Sequence, residues 1–124
     1  MLMDLDHFKT INDKFGHDIG DLVLRGIADL LQRHCAERGE IFRLGGEEFA
    51  VLMGDASQSE IEQFAESFRQ RVASLNGDDK TRVTISIGTG LRRRGESSSE
   101  LMRRVDRALY RAKDAGRNRV MSSE

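Results

Sequence analysis

The dipeptide Gly45-Gly46 limits the choice of fold more than any other feature of this chain. It separates two short runs, Ile41-Phe42-Arg43-Leu44 and Phe49-Ala50-Val51-Leu52-Met53, both rich in strand-favouring residues. Two such runs around a glycine turn read as a β-hairpin, which calls for an antiparallel sheet. A tight turn needs glycine, but it has no use for two adjacent carboxylates, and Glu47 and Glu48 follow at once.

The rest of the chain supplies helices to cover that sheet. Met1-Leu2-Met3 looks like the end of a buried strand that breaks at Asp4-Leu5-Asp6. Ile19, Val23, Ile27, Leu30 and Leu31 recur at helical spacing, which predicts an amphipathic helix over 18–36. Ser57-Gln58-Ser59-Glu60 has the form of a capping box and opens a helix with Ile61, Phe64, Ala65, Phe68, Val72 and Leu75 on one face. Asn76-Gly77-Asp78-Asp79 reads as a turn, and Val83, Ile85, Ile87 and Thr89 alternate as in a strand with two unlike faces. Ser97-Ser98-Ser99-Glu100 opens a last helix with Leu101, Val105, Ala108, Leu109 and Ala112 inward, closed by Gly116. Val120 belongs to a short final strand. The order β-α-β-β-α-β-α-β predicts an α/β (α+β) sandwich: one domain over 1–124, with a mainly antiparallel sheet flanked by helices.

Composition narrows the function classes. A length of 124 residues with 33% charged side chains fits one compact domain with a core of its own. No run approaches the roughly 20 apolar residues of a membrane span, and no signal peptide is visible. The single cysteine, Cys35, rules out an internal disulfide and reads as a buried, inert thiol in a reducing compartment, so a cytoplasmic site is expected. Net charge is −1, but residues 1–60 hold six Lys/Arg against twelve Asp/Glu, whereas residues 92–119 hold ten against four. Such blocks are either solvated helix faces or the two halves of a site needing carboxylates for cations and basic groups for phosphate. No aromatic-interleaved basic stripe appears, which argues against nucleic acid as a partner.

Three constellations stand out. Asp4-Leu5-Asp6 ends one strand and Glu47-Glu48 begin another; if the strands are neighbours, their carboxylates meet and repel unless a cation is present. Oxygen ligands without a His or Cys cluster favour a hard ion such as Mg²⁺. Asn12 and Asp21, in a polar loop and short helix, can supply the amide and carboxylate that read a purine edge. The alternatives are that Asn12 and Asp18 cap helices, and that His17 is a packed or capping imidazole. Lys113 and Arg117, at i and i+4 near the end of the last helix, share a face that could clamp a triphosphate. Cations there also suit the helix dipole regardless of function. Arg92-Arg93-Arg94 reads as a solvated turn, and no GxxxxGK[ST] phosphate loop is present.

In combination these stretches resemble the diguanylate cyclase (GGDEF) family. Asp4-Leu5-Asp6-His7-Phe8-Lys9-Thr10-Ile11-Asn12-Asp13 and Gly16-His17-Asp18-Ile19-Gly20-Asp21 match its first two motifs. Gly45-Gly46-Glu47-Glu48-Phe49 is the GGEEF variant of its signature. Ala108-Leu109-Tyr110-Arg111-Ala112-Lys113 with Gly116-Arg117-Asn118-Arg119-Val120 matches the closing motif. A lone GG-acid-acid-F would be weak; four motifs in order over nearly the whole chain are not.

The resemblance implies a nucleotide-cyclase or polymerase-palm (ferredoxin-like) topology, and condensation of two GTP into cyclic di-GMP and pyrophosphate. It implies Asp4 and Glu47 as side-chain ligands of Mg²⁺, with Mn²⁺ as the alternative ion, and the carbonyl of Leu5 as a main-chain ligand. Glu48 is the second acid of the signature, its role open between further ligand, base and orienter. Asn12 and Asp21 take the place of the guanine readers. Lys9 with the amides around Phe8, and Lys113 with Arg117, take that of the phosphate contacts. Gly45 and Gly46 let backbone approach the nucleotide. One site holds one GTP, so turnover calls for a homodimer. Two departures matter. The Arg-x-x-Asp product site expected before the signature is replaced by Ala36-Glu37-Arg38-Gly39. The family's leading helices and any sensor domain are missing, so the chain reads as N-terminally clipped, from a parent that could be membrane-tethered. The competing class is a non-catalytic module that binds GTP or a partner protein.

Overall fold

The computed structural model describes residues 1–75 and 82–123. In chain order the elements are β1 (Leu2–Leu5), α1 (Phe8–Phe15), α2 (His17–Cys35), β2 (Glu40–Arg43), β3 (Glu48–Leu52), α3 (Gln58–Ala73), β4 (Ile85–Thr89), α4 (Ser98–Asp114) and β5 (Val120–Ser122). The sheet runs β2-β3-β1-β4-β5. Its first three contacts are antiparallel, and only β4 with β5 is parallel. The first four strands have the order of a split β-α-β, ferredoxin-like unit, to which α4 and β5 add one parallel strand. The expected α/β sandwich is therefore the observed one.

Strand parity decides which helix covers which face. Met3, Leu5, Ile85 and Ile87 point to one side, where they pack with Phe8, Leu24, Leu31, Phe64 and Phe68 from α1, α2 and α3. Leu2 points to the other side, against Val105 and Leu109 of α4. Asp4 shares the parity of Leu2, so it faces the last helix rather than the main core. Coverage on the α4 side stops short of the hairpin: Phe42, Leu44 and Leu52 remain 44–59% exposed.

Local signals account for most element ends. Ser57 and Ser97 accept hydrogen bonds from the amides of Glu60 and Glu100, each at 3.1 Å. The return half of the first capping box differs from expectation, because Glu60 takes its bond from the Ser57 hydroxyl, 3.1 Å away. The polar stretch after β1 resolves into α1, which ends at Gly16, and α2 begins immediately after it. Leu75 departs from the predicted helical face: α3 ends at Ala73, and Leu75 is 43% exposed beyond it. The strand expected from Val83 starts at Ile85. The predicted turn at 76–79 lies outside the described residues. Cys35 is fully buried, with its thiol donating to the Gly39 carbonyl at 3.4 Å. Among the described residues no helix is long and apolar enough to cross a membrane.

Candidate active site

The two acidic clusters meet because β1 and β3 are adjacent strands. Asp4 lies opposite Glu48 in the register. The Leu5 amide donates to the Glu47 carbonyl at 3.3 Å, bringing the β1 backbone alongside Glu47. Asp4 is buried, Glu47 half-buried and Glu48 exposed. Partial desolvation pushes the Glu47 carboxyl up from its ordinary value, and the charges of Asp4 and Glu48 push the same way while Lys113 opposes them. Lys113 Nζ donates to Asp4 Oδ2 at 2.7 Å. Among the described residues no group of three or more His, Cys, Asp or Glu side chains is arranged to hold a metal. A divalent ion would therefore rest on two carboxylates, a peptide oxygen and the oxygens of its ligand. That all-oxygen set, with like charges pressed together, fits a hard cation such as Mg²⁺.

The hairpin corrects one expectation. Neither Gly45 nor Gly46 adopts a positive φ, so the bend itself does not demand glycine. A Cβ on Gly46 would meet nothing within 4 Å, and one on Gly45 would meet only Glu48 Oε2 at 3.9 Å. The turn is held otherwise: the Leu44 amide donates to the Glu48 carbonyl at 2.9 Å, while Arg43 donates to the carbonyls of Gly45 (3.1 Å) and Gly46 (2.8 Å). What the glycines leave is bare backbone facing outward beside the acids.

Next to β1, α1 starts at Phe8 after the left-handed His7, with no side chain capping its first turn. Its free amides and dipole therefore point toward the carboxyl end of β1. Phe8 is buried and contributes backbone there, whereas Lys9 is exposed. Asn12 lies against α2 at Gly20, where a Cβ would sit 1.8 Å from Asn12 Oδ1. Gly20 thus lets the Asn12 carboxamide lie flat on α2, one residue from the exposed Asp21. The capping alternatives fall away. Gly16 holds the N-cap of α2 with no side-chain bond, and His17 and Asp18 open the helix in solvent.

The last helix also departs from expectation. It ends at Asp114, so Lys113 and Arg117 are not two positions on one helical face. Gly116 N–H bonds to Lys113 O (3.3 Å) and Arg117 N–H to Ala112 O (3.0 Å), the pattern of a Schellman cap with glycine in its left-handed position. Arg117 and Asn118 continue with φ of 62° and 46°. A residue read from sequence only as the partner of Asp4 secures this turn. Asp6 Oδ2 accepts from the Asn118 amide (3.0 Å) and the Thr84 hydroxyl (2.7 Å), and Oδ1 accepts from the Ser86 hydroxyl (2.6 Å). Asp6 and Gly20 are the two positions that sequence reasoning left without a role. The hydroxyls at alternate positions 84 and 86 of an otherwise apolar strand were the signal for the first.

Comparison with known proteins agrees with this geometry. Residues 1–119 match the family described as diguanylate cyclase, GGDEF domain. Diguanylate cyclase DgcM of Escherichia coli is 44% identical over 99% of this chain, and diguanylate cyclase VdcA of Vibrio cholerae is 40% identical over 98%. The chain spans 30% and 38% of the lengths of those two proteins. Among solved structures, the GGDEF domain of DgcB from Caulobacter crescentus, in complex with c-di-GMP, superposes with a TM-score of 0.91 at 38% identity, covering 98% of this chain and 75% of that one. The active GGEEF domain of a diguanylate cyclase from Vibrio cholerae gives 0.91 at 35%, covering 99% and 80%. A sheet of this order, acids meeting across β1 and β3, and a match over nearly every residue lead to one conclusion: this chain belongs to the diguanylate cyclase GGDEF-domain family.

Proposed function

We propose that this domain makes cyclic di-GMP from two molecules of GTP; the observation that supports this reading is the pairing of β1 with β3, which sets Asp4 opposite Glu48 and the β1 backbone beside Glu47. Asp4, Glu47 and the Leu5 carbonyl would hold Mg²⁺, or Mn²⁺ in its place. When bound, the ion would make the 3′-hydroxyl more acidic and offset charge growing at the α-phosphate and leaving group. Glu48, exposed opposite Asp4, is the acid nearest to open solvent and suits a role in orienting or accepting the hydroxyl proton. Asn12 and Asp21 bind guanine, fixing the base through the carboxamide and carboxylate. The amides of Phe8 and Lys9, the Lys9 side chain, Lys113 and Arg117 receive the phosphates. Gly45 and Gly46 give the nucleotide a path along bare backbone.

Each domain presents one such site, so two copies face each other for the paired attacks. Holding both nucleotides in line would supply about 7–11 kcal/mol of the barrier reduction. The test is incubation with GTP and Mg²⁺ followed by chromatography of the nucleotides, in a form dimerised through a fused coiled coil. Cyclic di-GMP is expected from the parent sequence and none from Glu47→Gln. Equal product from both would refute the assignment. Nucleotide binding without any product would favour a non-catalytic GTP-binding module.

A further inference from the structure

The Lys113–Asp4 pair joins the last helix to the first strand across 109 positions, at 2.7 Å and with Asp4 only 5% exposed. Its lysine head group occupies Oδ2, one of the two oxygens that a cation on Asp4 could use. Backbone motion is not needed to move it. The Lys113 carbonyl is tied into the Schellman cap by Gly116, whereas the side chain is 32% exposed and has solvent to swing into.

We propose that Lys113 is the resident counter-ion of Asp4, that its pairing and divalent-ion binding exclude one another, and that loading the ion releases the lysine for an anionic group. This deepens the reading above and rests on it. A divalent ion on Asp4 and an ammonium at hydrogen-bond distance from the same carboxylate are like charges in a partly desolvated pocket, and one must leave. The displaced amine, still anchored by its helix, then seeks negative charge close by, which a triphosphate supplies. Ion capture and phosphate capture become one exchange. Lys113 thus opposes the ion when it comes alone and favours the nucleotide once the ion is in place.

The opposed signs make the inference testable without turnover. Mn²⁺ alone is titrated into nucleotide-free protein, with free ion followed by electron paramagnetic resonance, for the parent chain and Lys113→Met. The variant is expected to bind Mn²⁺ about tenfold tighter, the low end of what a like charge within 4–6 Å does to a site. GTP affinity, by contrast, should fall in the variant when Mn²⁺ is saturating and hold steady in EDTA. Lys113→Gln, which keeps a polar end and helix propensity, replaces the methionine variant if thermal unfolding shows that variant to be misfolded. Mn²⁺ affinity unchanged or weakened in a folded Lys113 variant, with parent binding still abolished by Asp4→Asn, would overturn the exclusion alone. Absence of Mn²⁺ binding in the parent, with and without GTP, would overturn both this inference and the metal site beneath it.

Discussion

Replacing Asp6 tests how the loop carrying Arg117 is held. Its carboxylate accepts three hydrogen bonds, from Thr84, Ser86 and the Asn118 amide, and is 5% exposed. Bonds to a charged acceptor contribute about 1.5–3 kcal/mol each, a gross of roughly 4.5–9 kcal/mol. Removing the carboxylate also removes the cost of burying it, about several kcal/mol. Asp6→Ala should therefore destabilise by about 3 kcal/mol, with the Asn118 amide left without its acceptor. Asp6→Asn behaves differently. Its carbonyl can take the place of Oδ2, and its NH₂ can donate to Ser86, whose hydroxyl turns to accept. All three contacts survive without charge assistance, for a loss of about 1 kcal/mol. The assay is urea unfolding followed by far-UV circular dichroism in EDTA, so that no ligand linkage intrudes. In a thermal scan the two variants should fall by about 10–15 °C and about 4 °C. An alanine variant within about 0.5 kcal/mol of the parent would show that Asp6 does not hold this turn, since that is the scatter of an ordinary surface substitution.

Four further outcomes follow from other contacts. The raised Glu47 carboxyl stabilises the fold only below its unfolded value near 4.5, and that contribution is lost as pH rises through the higher folded value. Glu47→Gln should consequently gain about 0.5 kcal/mol at pH 7 in EDTA while losing Mn²⁺ binding, as chemical unfolding and metal titration will show. Gly20→Ala should destabilise by about 1–3 kcal/mol through overpacking on Asn12, and most of that loss should vanish in an Asn12→Ala background, where only the 3.2 Å approach to the Phe8 ring opposes the gain in helix propensity; a double-mutant cycle reads the coupling. Glu96 is paired with Arg104 through two 2.8 Å bonds that hold its carboxyl down to about 2. Its contribution is present above pH 4.5 and lost as pH falls from there toward 2, so Glu96→Gln should flatten the acid limb of a stability profile. Arg38 turns toward the end of α2, donating to the carbonyls of His34 and Cys35 and lying 5.0 Å over the Phe64 ring. Little product inhibition is expected through this window, and tight cyclic di-GMP binding untouched by Arg38→Ala in isothermal titration would reveal another product site.

Much of this architecture could be read before any coordinates. Period-2 and period-3.6 patterns, two serine caps and the hairpin define nearly every element, because each depends on neighbours within a few positions. What escaped was geometry set from far away. The left-handed turn at Arg117 and Asn118 hangs on a carboxylate over a hundred residues earlier, so helical spacing from Lys113 misplaced the arginine. The open glycines of the hairpin looked like turn chemistry, yet their φ values show that the bend would tolerate side chains. Gly20 offered no local signal of its own, because what it makes room for is Asn12 on the neighbouring helix. The candidate ligands were legible because acids at strand ends are unusual; how a lysine shares them was not, since pairing across the whole chain leaves no local pattern.

Asp4 with Lys113, and Asp6 with Asn118, bridge 109 and 112 positions. The pocket is thus a clasp whose two halves are made at opposite times in synthesis. A nascent chain with α4 still inside the ribosomal tunnel can hold its first four strands together and own no clasp. Both contacts accordingly form only once translation has carried α4 and the turn after it clear of the ribosome.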